Sequence, residues 1–420
     1  MLIEKTKIIL KPDPGKVLLR SFTPATENQR QNILKRILSL SEEDAVKEFE
    51  IIKKEFGDRH RNISGLFIRR FKQLSGYLDK SSDLSEVRQM LIGASFSMEY
   101  ALESTALFNP SIILHPDQSM LFPGSKRFIL SLRATGEGHI SSIVFREGEL
   151  NKENKIIIEE QGRFVSPPET IRNIDLESSG YEILYNEEIP LSERIIFSNV
   201  PMESNGIEDA RFVRFIDDDN SVKYYATYTA YDGMRIQSRL LETKDFLQFN
   251  SQKISGPEAH NKGMALFPRK VNGKYAMLSR QDNENNFIMF SDNLYYWDNK
   301  KLLSKPLFNW ETIQIGNCGS PIETEAGWLV LTHGVGPVRK YCIGAMLLDL
   351  QDPTKINGRL KEPLVTADET EREGYVPNVV YTCGSLVNKG ELIIPYAMSD
   401  YASSFAKVNL KDLLKELKTG

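Results

Sequence analysis

The sequence predicts an all-β protein, a five-bladed β-propeller with an N-terminal α-helical extension. Two observations carry that reading. From Lys126 onward one strand–turn–strand pattern recurs five times, whereas before Leu102 the apolar residues fall at helical spacing. The division expected is residues 1–105 for the N-terminal segment with its helices and 106–420 for the propeller.

In the N-terminal segment the clearest pattern is SLSEEDAVKEFEIIKKEFG. Ser41 is placed to cap a helix, Glu42, Glu43 and Asp44 sit at its positive end, and Gly57 follows its last turn. Ala45, Val46, Phe49, Ile52 and Phe56 recur at three- and four-residue steps and predict one apolar face. Helical patterns also run through Leu66 to Leu74 and through SEVRQMLIGASFSMEYAL. Such faces must be buried, so the helices are expected to form an interface, against the side of the propeller or between subunits of a homo-oligomer.

The five recurring hairpins are KRFILSLRATGEGHISSIVF, KYYATYTAYDGMRIQSRLL, KYAMLSRQDNENNFIMFS, GWLVLTHGVGPVRKYCIGAMLLD and GELIIPYAMSDYASSFAKVNL. Repetition at about 50 residues or more predicts blades, because each small sheet must stack on neighbours to bury its faces. Their turns bring Arg133, Tyr231, Arg280, His333 and Asp400 toward one end, where they are expected to converge on a pocket. Turns are also polar simply because they are wet, but five such residues go beyond that.

Composition narrows the function. The chain has 420 residues, 40% hydrophobic and 26% charged, with a formal net charge of −4, which offers no basic footprint for nucleic acid. No run approaches the roughly 20 apolar residues of a membrane helix, and no signal-peptide core follows Met1, so a cytoplasmic location is expected. Cys318, Cys342 and Cys383 lack CxxC spacing and read as buried small hydrophobes. His60, His115 and His260 have no metal-ligand spacing, and His139 has no clear role near the expected pocket. No metal and no organic cofactor is expected. The GEG around Glu137 is too short to cradle a nucleotide phosphate, and Trp297 reads as a residue that closes a blade.

The string SNGIEDARFVRF is the most informative. Glu208 and Asp209, flanked by Arg211, open a strand after a glycine, where a guanidinium can tune a carboxyl. A surface ion-pair cluster is the plain alternative for this string alone. GIEDAR, NKGMALFPRKVNGKYAMLSR, SPIETEAGWLVLTHG, GAMLLDLQDPTKINGR and EREGYVPNVVYTCG stand in this order, and together the region from Asn109 to Leu414 resembles glycoside hydrolase family 130. That family contains β-mannoside phosphorylases and β-1,2-mannosidases.

The resemblance implies a five-bladed propeller, inversion at the anomeric carbon, no metal and an oligosaccharide substrate. It makes Asp209 the proton donor and places Asn109, Arg133, Arg211 and Asp400 around a mannosyl unit; Tyr231, by its turn position, is a further expected substrate contact. Lys262, Gly263, Arg280, Glu323 and His333 match positions that surround phosphate in the phosphorylases. Gly263 replaces a common amide there, and Glu323 stands where phosphorylases usually carry lysine. A carboxylate repels phosphate but suits an inverting hydrolase, so Glu323 is the expected general base, with Asp282 or Glu284 assisting and Glu325 the choice if the register slips. The first expectation is an exo-acting inverting β-mannosidase, β-1,2 linkages first. The alternatives are a phosphorylase that uses inorganic phosphate and releases mannose 1-phosphate, and a glycan-binding propeller without catalysis.

Overall fold

Each of the five recurrent hairpins is the centre of its own antiparallel sheet. The computed structural model describes residues 3–74, 84–175, 180–198 and 200–419. The central hairpins pair Lys126–Thr135 with Ser141–Leu150, Val222–Tyr231 with Ile236–Thr243, and Tyr275–Ser279 with Asn286–Ser291. Gly327–Val335 with Tyr341–Leu348 and Glu391–Met398 with Ala402–Asn409 complete the set. The protein is mostly β, as expected.

Period-two alternation explains how these sheets stack, because a strand buried on both faces sends successive side chains to opposite sides. Along Val222–Tyr231, Tyr224, Ala226 and Tyr228 join Ile129 and Phe145 of the first sheet. Tyr225 points the other way and joins Met277 and Met289 of the third. Leu278 and Ile288 then share a core with Val330 and Met346 of the fourth sheet. Leu331 and Ile343 pack with Ile394 and Tyr396 of the fifth, and Ile393 and Phe405 of the fifth return to Phe128 and Leu130 of the first. Each successive pair of sheets therefore shares one apolar core. Trp297 is fully buried between the second and third sheets with its indole N–H on the Leu294 carbonyl, and all three cysteines are buried.

The N-terminal boundary differs from the expected one. Ile3–Lys5 belongs to the fifth sheet, where it pairs with Ala406–Val408, so residues 3–5 are stitched to the last strand. The helices are α1 (Glu27–Leu38), α2 (Glu42–Phe56), α3 (Ile63–Gln73), α4 (Glu86–Ser95) and, after the last strand, α5 (Leu410–Thr419). Ser41 caps α2 by accepting from the Asp44 N–H, and Thr26 forms a reciprocal cap with Gln29 on α1. Ala45 and Phe49 of α2 are buried, but Val46 is 46% and Phe56 37% exposed, so its apolar face is narrower than its spacing suggests.

Leu34, Phe49, Phe67, Phe71 and Ile92 give these helices a core of their own. Arg61, between α2 and α3, holds the buried Glu193 of the sheet region at 2.7 Å. The helical pattern expected to continue to Leu102 stops at Phe96. Ser97–Ala101 is a strand instead, paired with Val17–Ser21, because that pairing satisfies a ladder that local helix propensity cannot. No helix among the described residues is long and apolar enough to cross a membrane.

The α3–α4 contact depends on Gly93, where an added Cβ would lie 2.0 Å from the Phe67 carbonyl oxygen. Gly93→Ala is expected to lower stability by about 2–4 kcal/mol, in the range for overpacked helix contacts. Thermal or urea unfolding checks it, with catalytic constants unchanged in the folded fraction.

Candidate active site

Two bulges build the site. Paired register shifts between Phe108 and Ser111 and between Glu208 and Arg211, and at these places Asn109 and Asp209 adopt φ of 49° and 53°. Among non-glycine residues Asn and Asp tolerate left-handed backbone best, and here it turns both side chains off the sheet's regular faces. The Ser111 hydroxyl accepts from the Phe212 N–H and ties the two bulged strands together. Asn109 Nδ2 then donates to Asp209 Oδ1 at 2.7 Å.

Cations complete the surroundings of Asp209. Arg133 reaches Asp209 Oδ1 at 3.4 Å and Glu208 Oε1 at 2.9 Å, and Lys262 reaches Glu208 Oε2 at 3.2 Å. Arg211 is buried beneath, bonded to the Asp209 carbonyl at 3.0 Å, the Cys318 carbonyl and the Tyr381 hydroxyl. Its role is to position the Asp209 backbone and Tyr381. Burial opposes the charge on Asp209, but Arg133, Arg211, Lys262 and the Asn109 amide outweigh it and hold the carboxyl at about 2.

Asp400 is treated oppositely. Burial, with the nearby Asp209 charge, pushes it up to about 6, against the pull of Arg133 and Arg339. Two carboxyls in one pocket with widely separated pKa values are a signature of acid–base chemistry.

Asn109, Arg133, Asp209, Lys262, Arg280 and Asp400 line one cavity of 290 Å³. A second cavity of 210 Å³ shares Arg133 and Asp400 with it and adds Glu208, Tyr231, His139 and Tyr375. The two are neighbouring compartments. Tyr231 thus lies in the adjoining compartment, where His139 and Tyr375 form a tilted ring pair with centroids 5.1 Å apart.

His333 is fully buried behind Arg280, and it does not line the cavity. Burial, with Arg280 and Arg211 nearby, keeps its imidazole neutral. With the Gln314 amide oriented to satisfy its neighbours, its oxygen accepts from His333 Nε2 at 3.2 Å and from Arg280 Nη1 at 2.5 Å. His333 therefore fixes Gln314 and Arg280. Gly263, at φ 95°, leaves the space that Arg280 fills, since a Cβ there would lie 2.4 Å from Arg280 Nε. Asn283 and Gln314 place side-chain amides in the lining of the same cavity.

Glu323 is the correction. It stands on Ile322–Thr324, opposite Trp328, in a two-toothed ion pair with Arg269 at 2.6 and 2.8 Å. His333 lies five residues further along the strand from Trp328, about 16 Å at the usual strand rise. Glu323 and Glu325 line instead a larger cavity, 1310 Å³, beside α5. That groove mixes lysines with carboxylates and holds none of the residues around Asp209, so size does not mark the site here. Asp282 spends its carboxylate on the Glu284 and Asn285 N–H groups, and neither it nor Glu284 lines the cavity, although Asn283 between them does. Among the described residues no group of His, Cys, Asp and Glu is arranged to hold a metal ion.

The family description of beta-1,4-mannooligosaccharide phosphorylases matches residues 163–419. The chain belongs to glycoside hydrolase family 130. With that family it is a glycoside-processing enzyme. A 1,2-beta-oligomannan phosphorylase from a Thermoanaerobacter species is 36% identical over 229 residues, 53% of this family 130 chain and 75% of its own length. A beta-1,2-mannobiose phosphorylase from the same source is 32% identical over 310 residues, 72% of this chain and 89% of its own. The beta-1,2-mannobiose phosphorylase of Listeria innocua, solved with beta-1,2-mannobiose, superposes with a TM-score of 0.55 at 21% identity, over 75% of this chain and 93% of that one. That last likeness speaks for the fold.

Asp400 gives this cavity a pH signature. Below about 3.8 its carboxyl is protonated folded or unfolded, whereas above about 6 the folded protein must carry its buried charge. The raised pKa therefore removes stability as pH rises through that window. Asp400→Asn is expected to raise stability at pH 7.5 by on the order of 1–2 kcal/mol, less than the full shift implies because the mouth is wet, and to leave it unchanged at pH 3.5. Melting temperatures at the two pH values test this.

Proposed function

We propose that this chain is an inverting β-mannoside phosphorylase, acting first on β-1,2 linkages, whose five sheets are the blades of a five-bladed propeller around the Asp209 cavity. The closed succession of shared cores supports the propeller, since the fifth sheet packs on the first. The observation that carries the activity is the cavity's chemistry beyond Asp209. Lys262, Arg280, Arg339, Asn283 and Gln314 offer cations and amide donors, and the only carboxylates among the described lining residues are Asp209 and Asp400. Phosphate fits such a lining through charge-assisted bonds. The hydrolase reading required a base at Glu323, and that residue is engaged with Arg269 elsewhere.

In the reaction a phosphate oxygen attacks the anomeric carbon as the glycosidic C–O bond breaks, and Asp209 gives its proton to the departing oxygen. The products are mannose 1-phosphate of inverted configuration and the shortened sugar. Asp209 is ionised in the empty pocket, so it must gain a proton in the loaded one. Phosphate beside Arg280 and Lys262 offsets the positive field that depresses Asp209, which raises its proton affinity as the substrates assemble. The adjoining compartment, with Tyr231 and the His139–Tyr375 pair, takes the leaving sugar.

Incubation with β-1,2- and β-1,4-mannobiose, with and without phosphate, decides the reaction. Mannose 1-phosphate formed only with phosphate is expected, and free mannose released equally in both would overturn the reading. Asp209→Asn is expected to slow turnover of mannobiose by about 10²–10⁴-fold and to spare an activated aryl mannoside more. Glu323→Gln is expected to keep the wild-type rate within about twofold, because it removes only an exposed ion pair.

A further inference from the structure

The cations that line the catalytic cavity are not equally engaged. Arg133 is paired with Glu208 and Asp209, and Lys262 with Glu208. Arg280 bonds a neutral partner in the cavity wall, the Gln314 amide oxygen, which the neutral His333 imidazole behind it orients. Arg339 makes no hydrogen bond or ion pair with any described residue, although its charge is felt at Asp400. Two guanidinium groups thus face the cavity without an anionic partner on the protein.

The backbone that carries Arg339 is conspicuous. Gly336 and Lys340 close a tight turn, with the Gly336 N–H on the Lys340 carbonyl at 3.0 Å and the Lys340 N–H on the Pro337 carbonyl at 3.3 Å. Between them Val338 and Arg339 hold φ of 56° and 57°. Two consecutive left-handed residues suit a hairpin turn, but that geometry favours Asn and Gly and disfavours a β-branched residue. The protein uses the favoured chemistry elsewhere, at Asn272–Gly273 and with glycine in Lys389–Gly390. The first sheet has the same five-residue closure at Gly136–Ile140, with His139 at φ 59° in the place of Arg339 and Gly138 in the place of Val338. The turn in the fourth sheet gives up that glycine, and its geometry alone calls for no arginine.

We infer that Arg339 is a second phosphate-binding residue, lowered onto the anion from the exposed rim of the cavity that the half-buried Arg280 also lines. The inference rests on the phosphorylase reading. Hydrogenphosphate carries up to two negative charges, and Arg280 with Arg339 supplies two positive charges that no protein carboxylate bonds. Each guanidinium presents a planar fork that matches two phosphate oxygens, which a lysine cannot reproduce. Arg280 is held in place by Gln314 and His333, whereas Arg339 is exposed, so Arg339 is the arm that engages after phosphate has entered.

Steady-state kinetics of Arg339→Gln and Arg339→Lys test this. Arg339→Gln is expected to raise the KM for phosphate by about 30- to 100-fold, in line with one lost charge-assisted contact, and to leave the KM for mannobiose within twofold. Arg339→Lys is expected to fall between, and Val338→Asn, in the same turn, to leave both constants unchanged. A wild-type phosphate KM in Arg339→Gln, or a rise confined to the mannobiose KM, would overturn the assignment. Melting temperature against phosphate concentration separates this from the activity reading. If the wild type makes no mannose 1-phosphate but phosphate still stabilises it and not Arg339→Gln, the phosphorylase reading fails while Arg339 remains an anion ligand. If phosphate stabilises both alike, Arg339 is not one.

Discussion

Asp209 sits where burial alone would keep a carboxyl neutral, yet three cations and one amide hold it ionised. That arrangement depends on two left-handed residues, Asn109 and Asp209, on strands of neighbouring sheets. Without the bulges both side chains would follow the regular alternation of their strands and enter the apolar cores on either face. The shared cores make the sheets rigid enough to hold the two bulges in place, because each sheet is packed on both sides. Fold and chemistry meet at that point: stacked sheets exist to bury apolar faces, and their bulges place charge at the ends.

The rest of the pocket divides by charge. One part is balanced, with Glu208 bridging Arg133 and Lys262 around Asp209. The other is positive and unbalanced, with Arg280 and Arg339 set among neutral amides. A neutral sugar suits the first and an anion the second. The neutral His333 serves the second part by orienting Gln314 and Arg280, and added charge there would repel Arg280.

Much of this was legible in the sequence because it repeats. The five hairpins recur visibly, and each became a sheet. Arg133, Arg280 and Asp400, set by their turns, and Asp209 of the GIEDAR string line one cavity with Asn109 and Lys262, which only the family resemblance had placed. Tyr231 falls in the neighbouring compartment and His333 one layer deeper, since a turn position says which end a residue occupies but not its depth. Glu323 failed for a register reason: SPIETE contributes a short strand at the far end of Gly327–Val335, and a hairpin with unequal arms carries no mark of where it folds back. Arg339 and Gln314 had no pattern to announce them. Ser97–Ala101 read as helix because its partner strand, Val17–Ser21, is distant in sequence, and local propensity is blind to such pairing.

The claim on which the account rests is that the cations keep Asp209 ionised in the empty enzyme. Carbon NMR of protein labelled at the aspartate carboxyls, with Asp209→Asn to assign the resonance, measures it directly. The account predicts a carboxylate shift that stays constant from pH 8 down to pH 4. A titration midpoint above pH 5 would contradict it and return Asp209 to the class of ordinary buried acids.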